Sequence, residues 1–319
     1  MTTPMIEFEA VVCPLCNSAD SQELLLNSDY GERVSGVFRL VRCHGCGLRY
    51  QSPRPTPATI SSCYPDHYSA YASVSLRTRR GLLGWLTRRG MRQRLTLLDQ
   101  AIPPQAGQVR QLLDVGSGAG VFLEAAQLYG GWQLQGLEPN ARAATATSSR
   151  IGVPIFNGTL AQACYPTASI DVATLWDVLE HVHQPLEDLR ELRRIIRPDG
   201  AVFIRVPNAA SFTRLAAGRY WAGYDLPRHI TVFDPATLRS ALRAAGFSRI
   251  IAEYTSGSYL YLFHSLRFAM SDHPRLERYA ASTHRLLFHP IARGICGIPL
   301  ALADRLGQGA ALEILARLD

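Results

Sequence analysis

Two pairs of cysteines are the first residues in this chain with an obvious chemistry. Cys13-Pro14-Leu15-Cys16 and Cys43-His44-Gly45-Cys46 stand 26 residues apart. Each short turn can put two thiolates on one side of an ion, and four soft donors are what tetrahedral zinc takes. Gly47 follows the second pair, where a tight knuckle often needs a residue free to take positive φ. A cytoplasmic chain disfavours disulfides. Two such pairs in one small proline-rich module also fit a zinc ribbon better than a redox enzyme. Four ligands leave no open position, so the expected role of the metal, at Cys13, Cys16, Cys43 and Cys46, is structural. His44, inside the second pair, is a poor replacement ligand, and Cys63, Cys164 and Cys296 are isolated.

A second pattern is Asp114-Val115-Gly116-Ser117-Gly118-Ala119-Gly120. Glycines here let the backbone turn sharply and approach a ligand closely. The spacing is GxGxG, and Val121 occupies the position where a dinucleotide loop carries its last glycine. Glu138 closes the next apolar run, where a carboxylate can accept hydrogen bonds from both hydroxyls of a ribose. A third group, Tyr220, Trp221, Tyr224, Asp225, Arg228 and His229, mixes rings with ionisable side chains. It reads as an acceptor pocket or, with equal weight, as a loop packed by its own aromatics. His229 is the preferred base, since imidazole titrates near neutrality.

Alternating strands and helices must position these groups. Gln111–Val115, Gln133–Leu137, Val153–Phe156, Ile170–Leu175 and Ala201–Val206 read as strands. Helices are expected from Gly120 to Gln127, Ala141 to Arg150, Pro185 to Ile196 and Pro235 to Ala245, with a turn at Pro198-Asp199-Gly200. This alternation predicts an α/β fold with a doubly wound parallel sheet. Residues 1–65 form the expected zinc-binding module and 66–105 a helical linker or lid. The core spans 106–256, a helical insertion 257–307, and the last core strand lies within 308–319.

These segments resemble the class I S-adenosylmethionine-dependent methyltransferases, in the branch of ubiquinone-type O-methyltransferases and sugar C-methyltransferases. The resemblance rests on LLDVGSGAG (112–120), GLEPN (136–140), DVATLWDVLEHVHQP (171–185), LRRIIRPDGAVFIRVPN (192–208) and LPRHITVFDPATLRSALRAAGF (226–247). It covers about half the chain and implies a Rossmann-like seven-stranded sheet. The cysteine-rich start is similar to the zinc-binding N-terminus of sugar C-methyltransferases. The resemblance implies that Asp114, Gly116, Ser117, Gly118 and Gly120 surround the methionine part of S-adenosylmethionine. Glu138 would hold the ribose, and Pro139, Gly158, Thr159 and Leu160 would border the adenine. Trp176 and Asp177 would line the methyl-transfer site, with core packing as the competing role for Trp176. Glu180 and His181 match a structural signature of the family in the helix after the fourth strand. His181 is therefore a reserve candidate for the base, beside Tyr224 and Asp225, and His183 is expected to face solvent.

The composition, 47% hydrophobic and 18% charged, is that of a globular chain. The apolar stretches break well short of a membrane span. Residues 1–10 lack a basic segment followed by an apolar run, so no signal peptide and a cytoplasmic location are expected. The net charge is +7, and all 33 basic residues are arginine, as a GC-rich coding sequence would give. Arg77, Arg79, Arg80, Arg88, Arg89, Arg92 and Arg94 lie among Leu82, Leu83, Trp85 and Leu86 with no acid. Such a run can make peripheral contact with anionic lipid or bind a phosphorylated ligand, but a connecting helix with a solvated face is the preferred reading. The expected partner is a small polyhydroxylated acceptor, methylated on carbon or oxygen: a sugar nucleotide, or a glycosylated or natural-product intermediate. DNA is not expected, and RNA ranks below a small molecule, because Leu175-Trp176-Asp177-Val178 is not the Pro-Pro-aromatic loop of amino-methylating nucleic-acid enzymes. The alternatives are an RNA methyltransferase with a zinc ribbon and a non-catalytic binding module; the intact glycines and Glu138 weigh against the latter.

Overall fold

The computed structural model describes residues 6–65, 76 and 81–318. Its N-terminal part contains strands β1 (Phe8–Glu9), β2 (Ser21–Asn27), β3 (Phe38–Cys43), β4 (Arg49–Gln51) and β5 (Arg54–Pro55). Helix α1 (Gly81–Ala101) leads to the core: β6 (Gln111–Val115), α2 (Val121–Tyr129), β7 (Gln133–Glu138), α3 (Ala141–Ile151), β8 (Ile155–Asn157), α4 (Leu160–Ala163), β9 (Ile170–Trp176), α5 (Pro185–Ile195) and β10 (Ile196–Pro207). Then come α6 (Phe212–Ala217), β11 (Thr231–Val232), α7 (Pro235–Ala245) and β12 (Arg249–Ser256). Helices α8 (Ser258–Asp272), α9 (Glu277–Leu287) and α10 (Pro290–Ala303) precede the last strand, β13 (Ala311–Arg317).

The seven-stranded sheet has the order β12-β13-β10-β9-β6-β7-β8. Strands β6 to β10 pair in parallel, while β13 runs antiparallel to β10 and β12. The order reverses direction between β6 and β9, which opens a crevice at their carboxyl ends, the usual ligand position in open α/β sheets. Central strands carry continuous apolar runs because both faces are covered. In β9, Ile170, Val172, Ala173 and Leu175 are all buried. The α/β doubly wound fold and the helical insertion before the last strand are as expected.

Three local expectations change. Pro198-Asp199-Gly200 does not separate a helix from a strand but lies inside β10, where the register against β9 jumps between Ile196 and Ala201. Strand β12, which the apolar pattern did not reveal, fills the sheet edge beyond β13. Strand β11 leaves the core to pair with β4, so a four-stranded sheet, β11-β4-β3-β2, crosses the expected boundary at residue 65. Arg77, Arg79 and Arg80, and the side chains of Leu82, Leu83 and Leu86, lie outside the described residues.

Candidate active site

The glycine loop leaves β6 and enters α2. Gly116, Gly118 and Gly120 have φ of 68°, 49° and 65°, a region that favours glycine. A Cβ on Gly120 would sit 2.3 Å from Thr147, and one on Gly116 would sit 2.6 Å from Val178. The loop folds back on β7 through the Ser117 amide, which donates to the Leu137 carbonyl at 2.9 Å. Glu138 receives the Gly118 amide on Oε2 and the Asn140 amide on Oε1, both at 2.8 Å. A carboxylate has about four acceptor positions, so capacity remains for two hydroxyls. Burial raises the Glu138 carboxyl above its usual range. Burial also lifts Asp114 to about 7, although the Thr174 hydroxyl donates to it at 2.7 Å. Asn157 Nδ2 donates to the carbonyls of Glu138 and Pro139, both at 3.0 Å, which draws the Gly158-Thr159-Leu160 segment to the end of β7. Ser117 Oγ is buried without a partner among the described residues.

Across the crevice, Trp176 packs 4.8 Å from Phe122 and 4.6 Å from Phe203, ring centre to ring centre, so it serves the core. Its Nε1 is nevertheless buried without a partner among the described residues, as are both oxygens of Glu180 and Oδ1 of Asp177. The other Asp177 oxygen pairs with Arg205. Arg205 Nε also lies 3.5 Å from Glu313, and Glu313 receives Arg94 at 2.6 and 3.0 Å. Arg94 therefore turns inward rather than forming part of a solvated arginine face. Arg88, Arg89 and Arg92 remain exposed.

Glu180 and His181 lie in a single 3-10 turn, Leu179–His181, rather than a long helix. The Ile230 amide donates to the Glu180 carbonyl at 2.9 Å, which lays the 224–232 loop along this turn. His229 Nδ1 is 2.9 Å from the Gly223 carbonyl. A carbonyl only accepts, so Nδ1 carries the proton and Nε2 keeps its lone pair. That Nε2 lies 4.0 Å from Glu180 Oε1 and 3.9 Å from Asp225 Oδ2. Burial holds the His229 imidazole below its usual range, hence neutral at pH 7. His181, edge-on to His229 at 4.5 Å, is lowered to about 3 by burial and then by His229. Burial, reinforced by Asp177, pushes Glu180 well above the carboxylate range. Glu180, His181 and His229 offer ligand atoms within 4.8 Å of one another, a spacing suited to a proton relay or a metal ion.

Arg228 organises the same loop from within the protein. It is fully buried and grips Asp29 with two bonds of 2.8 Å and Asp225 with bonds of 2.7 and 2.9 Å. Burial opposes ionisation of Asp225, but Arg228 overrides it and holds the carboxyl at about 2. Gln51 donates to the carbonyls of Pro227 and His229 at 3.0 and 2.9 Å. The Tyr64 hydroxyl lies 2.9 Å from His181 Nδ1. His183, expected to face solvent, is half-buried and bonds the Pro55 carbonyl at 2.9 Å. Trp221 and Tyr224 are buried in a T-shaped pair 5.1 Å apart within an apolar cluster, so for these two the packed-loop reading holds. Tyr220 instead reaches outward, stacking 4.9 Å from Tyr30 and donating to Asp272 at 2.8 Å. Asp29, Gln51, Tyr64 and Glu313 escaped the sequence reading because each is an isolated residue outside any motif, and Arg205, although inside the 192–208 segment, read there only as part of a strand.

The four paired cysteines converge. Cys13 and Cys46 sulfurs are 3.5 Å apart, as are those of Cys16 and Cys43, and all four lie within 4.8 Å. Tetrahedral zinc with bonds of about 2.3 Å needs sulfurs about 3.8 Å apart, so the cage fits that ion. Gly47 takes φ 80°, and Asn17, its counterpart after the first pair, takes φ 58°. His44 is exposed outside the cage.

Comparison with known proteins agrees with this architecture. A protein of Mycolicibacterium smegmatis named as a probable S-adenosylmethionine-dependent methyltransferase is 32% identical over 98 residues, 30% of this chain and 35% of that protein. The ubiquinone biosynthesis O-methyltransferase of Paraburkholderia phymatum is 28% identical over 149 residues, 43% of this chain and 64% of that enzyme. The chain thus spans from about a third to just under two thirds of these two curated relatives. A candidate sarcosine dimethylglycine methyltransferase from Galdieria sulphuraria shares the fold, with a TM-score of 0.50 at 14% identity over 73% of this chain and 86% of that one. The model of the methyltransferase-domain family matches residues 86–251, more than half of the chain. With its seven-stranded sheet and glycine loop, the chain belongs to the methyltransferase-domain family.

Proposed function

We propose that this protein transfers the methyl group of S-adenosylmethionine to carbon or oxygen of a small polyhydroxylated acceptor, a sugar nucleotide or a glycosylated or natural-product intermediate. The observation that carries the reading is the union of two half-sites in one turn. Val178 abuts Gly116 of the glycine loop, while Glu180, two residues on, faces the unprotonated Nε2 of His229. Asp114, Gly116, Ser117, Gly118 and Gly120 would hold the methionine part and Glu138 the ribose hydroxyls. Pro139, Gly158, Thr159 and Leu160 would border the adenine, with Trp176 and Asp177 at the methyl-transfer side. The cofactor supplies a sulfonium-activated methyl group; the protein aligns the acceptor and excludes water.

His229 is the base of this reading, because it is neutral and its unprotonated Nε2 lies beside Glu180 in the turn that also meets the glycine loop. Asp225, held at about 2 by Arg228, is too weak a base, and the packed ring of Tyr224 points to a structural role. A cleft of about 260 Å³ lined by Asp29, Tyr30, Arg33, Ser271 and Asp272 lies beside Tyr220. The test is a methyl-transfer screen over nucleotide sugars, polyphenols and RNA. Turnover on a sugar or polyphenol supports the proposal, whereas RNA as the acceptor overturns it.

One structural Zn²⁺ belongs to Cys13, Cys16, Cys43 and Cys46 in this reading, in keeping with a reducing, cytoplasmic setting. Elemental analysis of protein purified without chelator should find one zinc per chain, falling to none in Cys43→Ser, because an incomplete ligand set loses binding coupled to folding. A zinc-free parent would end this assignment.

A further inference from the structure

Helix α10 shows the environment a row of large apolar side chains that its own fold does not use. Ile291, Ile295, Ile298 and Leu302 are 68, 71, 76 and 57% exposed, and Leu306 just beyond is 69% exposed. Steps of four, three and four residues keep the helical members on one face. The interior of the helical insertion is filled by other residues: Tyr259 packs on Phe263 and Phe288, and His264 and His284 pack on Phe288. A contiguous exposed apolar row of this kind marks a contact surface.

The charge of this segment selects the partner. Between residues 275 and 306 there are five arginines, Arg275, Arg278, Arg285, Arg293 and Arg305, all exposed, against two acids. Both acids are engaged within the protein, Glu277 with Arg33 at 3.5 Å and Asp304 with the Ser258 hydroxyl at 2.5 Å. A second copy would bring two such arginine sets together, in a chain already at +7. An anionic bilayer attracts them. Among the described residues no single helix is long and apolar enough to cross a membrane, and the chain bends by 82° between the helices at 277–287 and 291–308. A short helix with an exposed apolar row and basic flanks can lie in the interface plane instead.

We propose that α10 docks this protein on an anionic membrane surface, with Ile291, Ile295, Ile298 and Leu302 inserted and the neighbouring arginines on lipid headgroups. The test is flotation of the full-length protein with vesicles of phosphatidylcholine containing phosphatidylglycerol, or of phosphatidylcholine alone. Flotation is expected with the anionic vesicles only and should weaken as salt rises, because headgroup attraction is screened. The double variant Ile295→Glu/Ile298→Glu should lose at least tenfold in binding while keeping its circular dichroism and S-adenosylmethionine affinity. Arg285→Gln/Arg305→Gln, which leaves the apolar row intact, should weaken anionic binding several-fold. Absence of flotation by folded parent protein, or equal flotation of the Ile295→Glu/Ile298→Glu variant, overturns the proposal. A parent dimer that becomes monomeric in that variant without flotation assigns the row to a second copy and also overturns it.

Discussion

The two halves of the crevice are built by different means. On the side proposed for the cofactor, Gly116 to Gly120, Glu138 and Gly158 to Leu160 sit at the ends of three adjacent strands. Their main bonds run between neighbouring loops, such as the Gly118 amide to Glu138. On the side proposed for the acceptor, the groups come from distant parts of the chain: buried Arg228 ties Asp29 to Asp225, and Tyr64 reaches His181. The cofactor half can therefore be damaged one residue at a time. The acceptor half depends on the N-terminal module and should fail as a unit.

The largest effect expected is on the proposed base. His229→Ala should lower methyl transfer by about 10²–10⁴, with S-adenosylmethionine affinity unchanged in calorimetry. Unaltered turnover would leave His181, the other neutral imidazole in the cluster, as the group to test. Next comes the join between the halves. Asp29→Ala leaves Arg228 buried with one carboxylate fewer, a change of about 3–5 kcal/mol in unfolding free energy. Cofactor affinity at 25 °C should survive if the halves are independent; a parallel collapse of cofactor binding would break the comparison. The second partner of Arg228, Asp225, sets an acid limit. Asp225 has its carboxyl lowered to about 2, so its stabilisation is present above the ordinary Asp value of about 3.9 and is lost as pH falls towards 2. Acid unfolding of Asp225→Asn should lack that component.

Glu138→Ala should weaken S-adenosylmethionine by about 1.5–3 kcal/mol through lost charge-assisted hydrogen bonds, without changing the melting temperature of the N-terminal module. Parent-like affinity would remove Glu138 from the cofactor site. The smallest effect is a pH dependence. Asp114 titrates at about 7 because burial disfavours its charge. If it faces the cofactor ammonium, affinity should rise about five- to tenfold from pH 6 to 7.5 as the carboxylate forms. Asp114→Asn should flatten that slope, and a slope kept in this variant would assign it to another group.

The sequence by itself determined the elements whose signals are local. The glycine loop declares its backbone angles, Glu138 its strand end, and the cysteine pairs their knuckles, because each depends on neighbours a few residues away. Helix α7 is bounded by Asp234-Pro235 and Gly246, and those residues cap it. Strand β12 was hidden because its residues are only half-buried at a sheet edge and show no clean alternation. Only the tertiary structure decided that β11 joins β4, that Arg94 turns in to Glu313, and that Arg228 is an internal tie instead of an acceptor contact. The physical reason is that a buried charge goes where a partner exists. Asp29 lies 199 residues from Arg228, and no local pattern can relate two single residues across that distance.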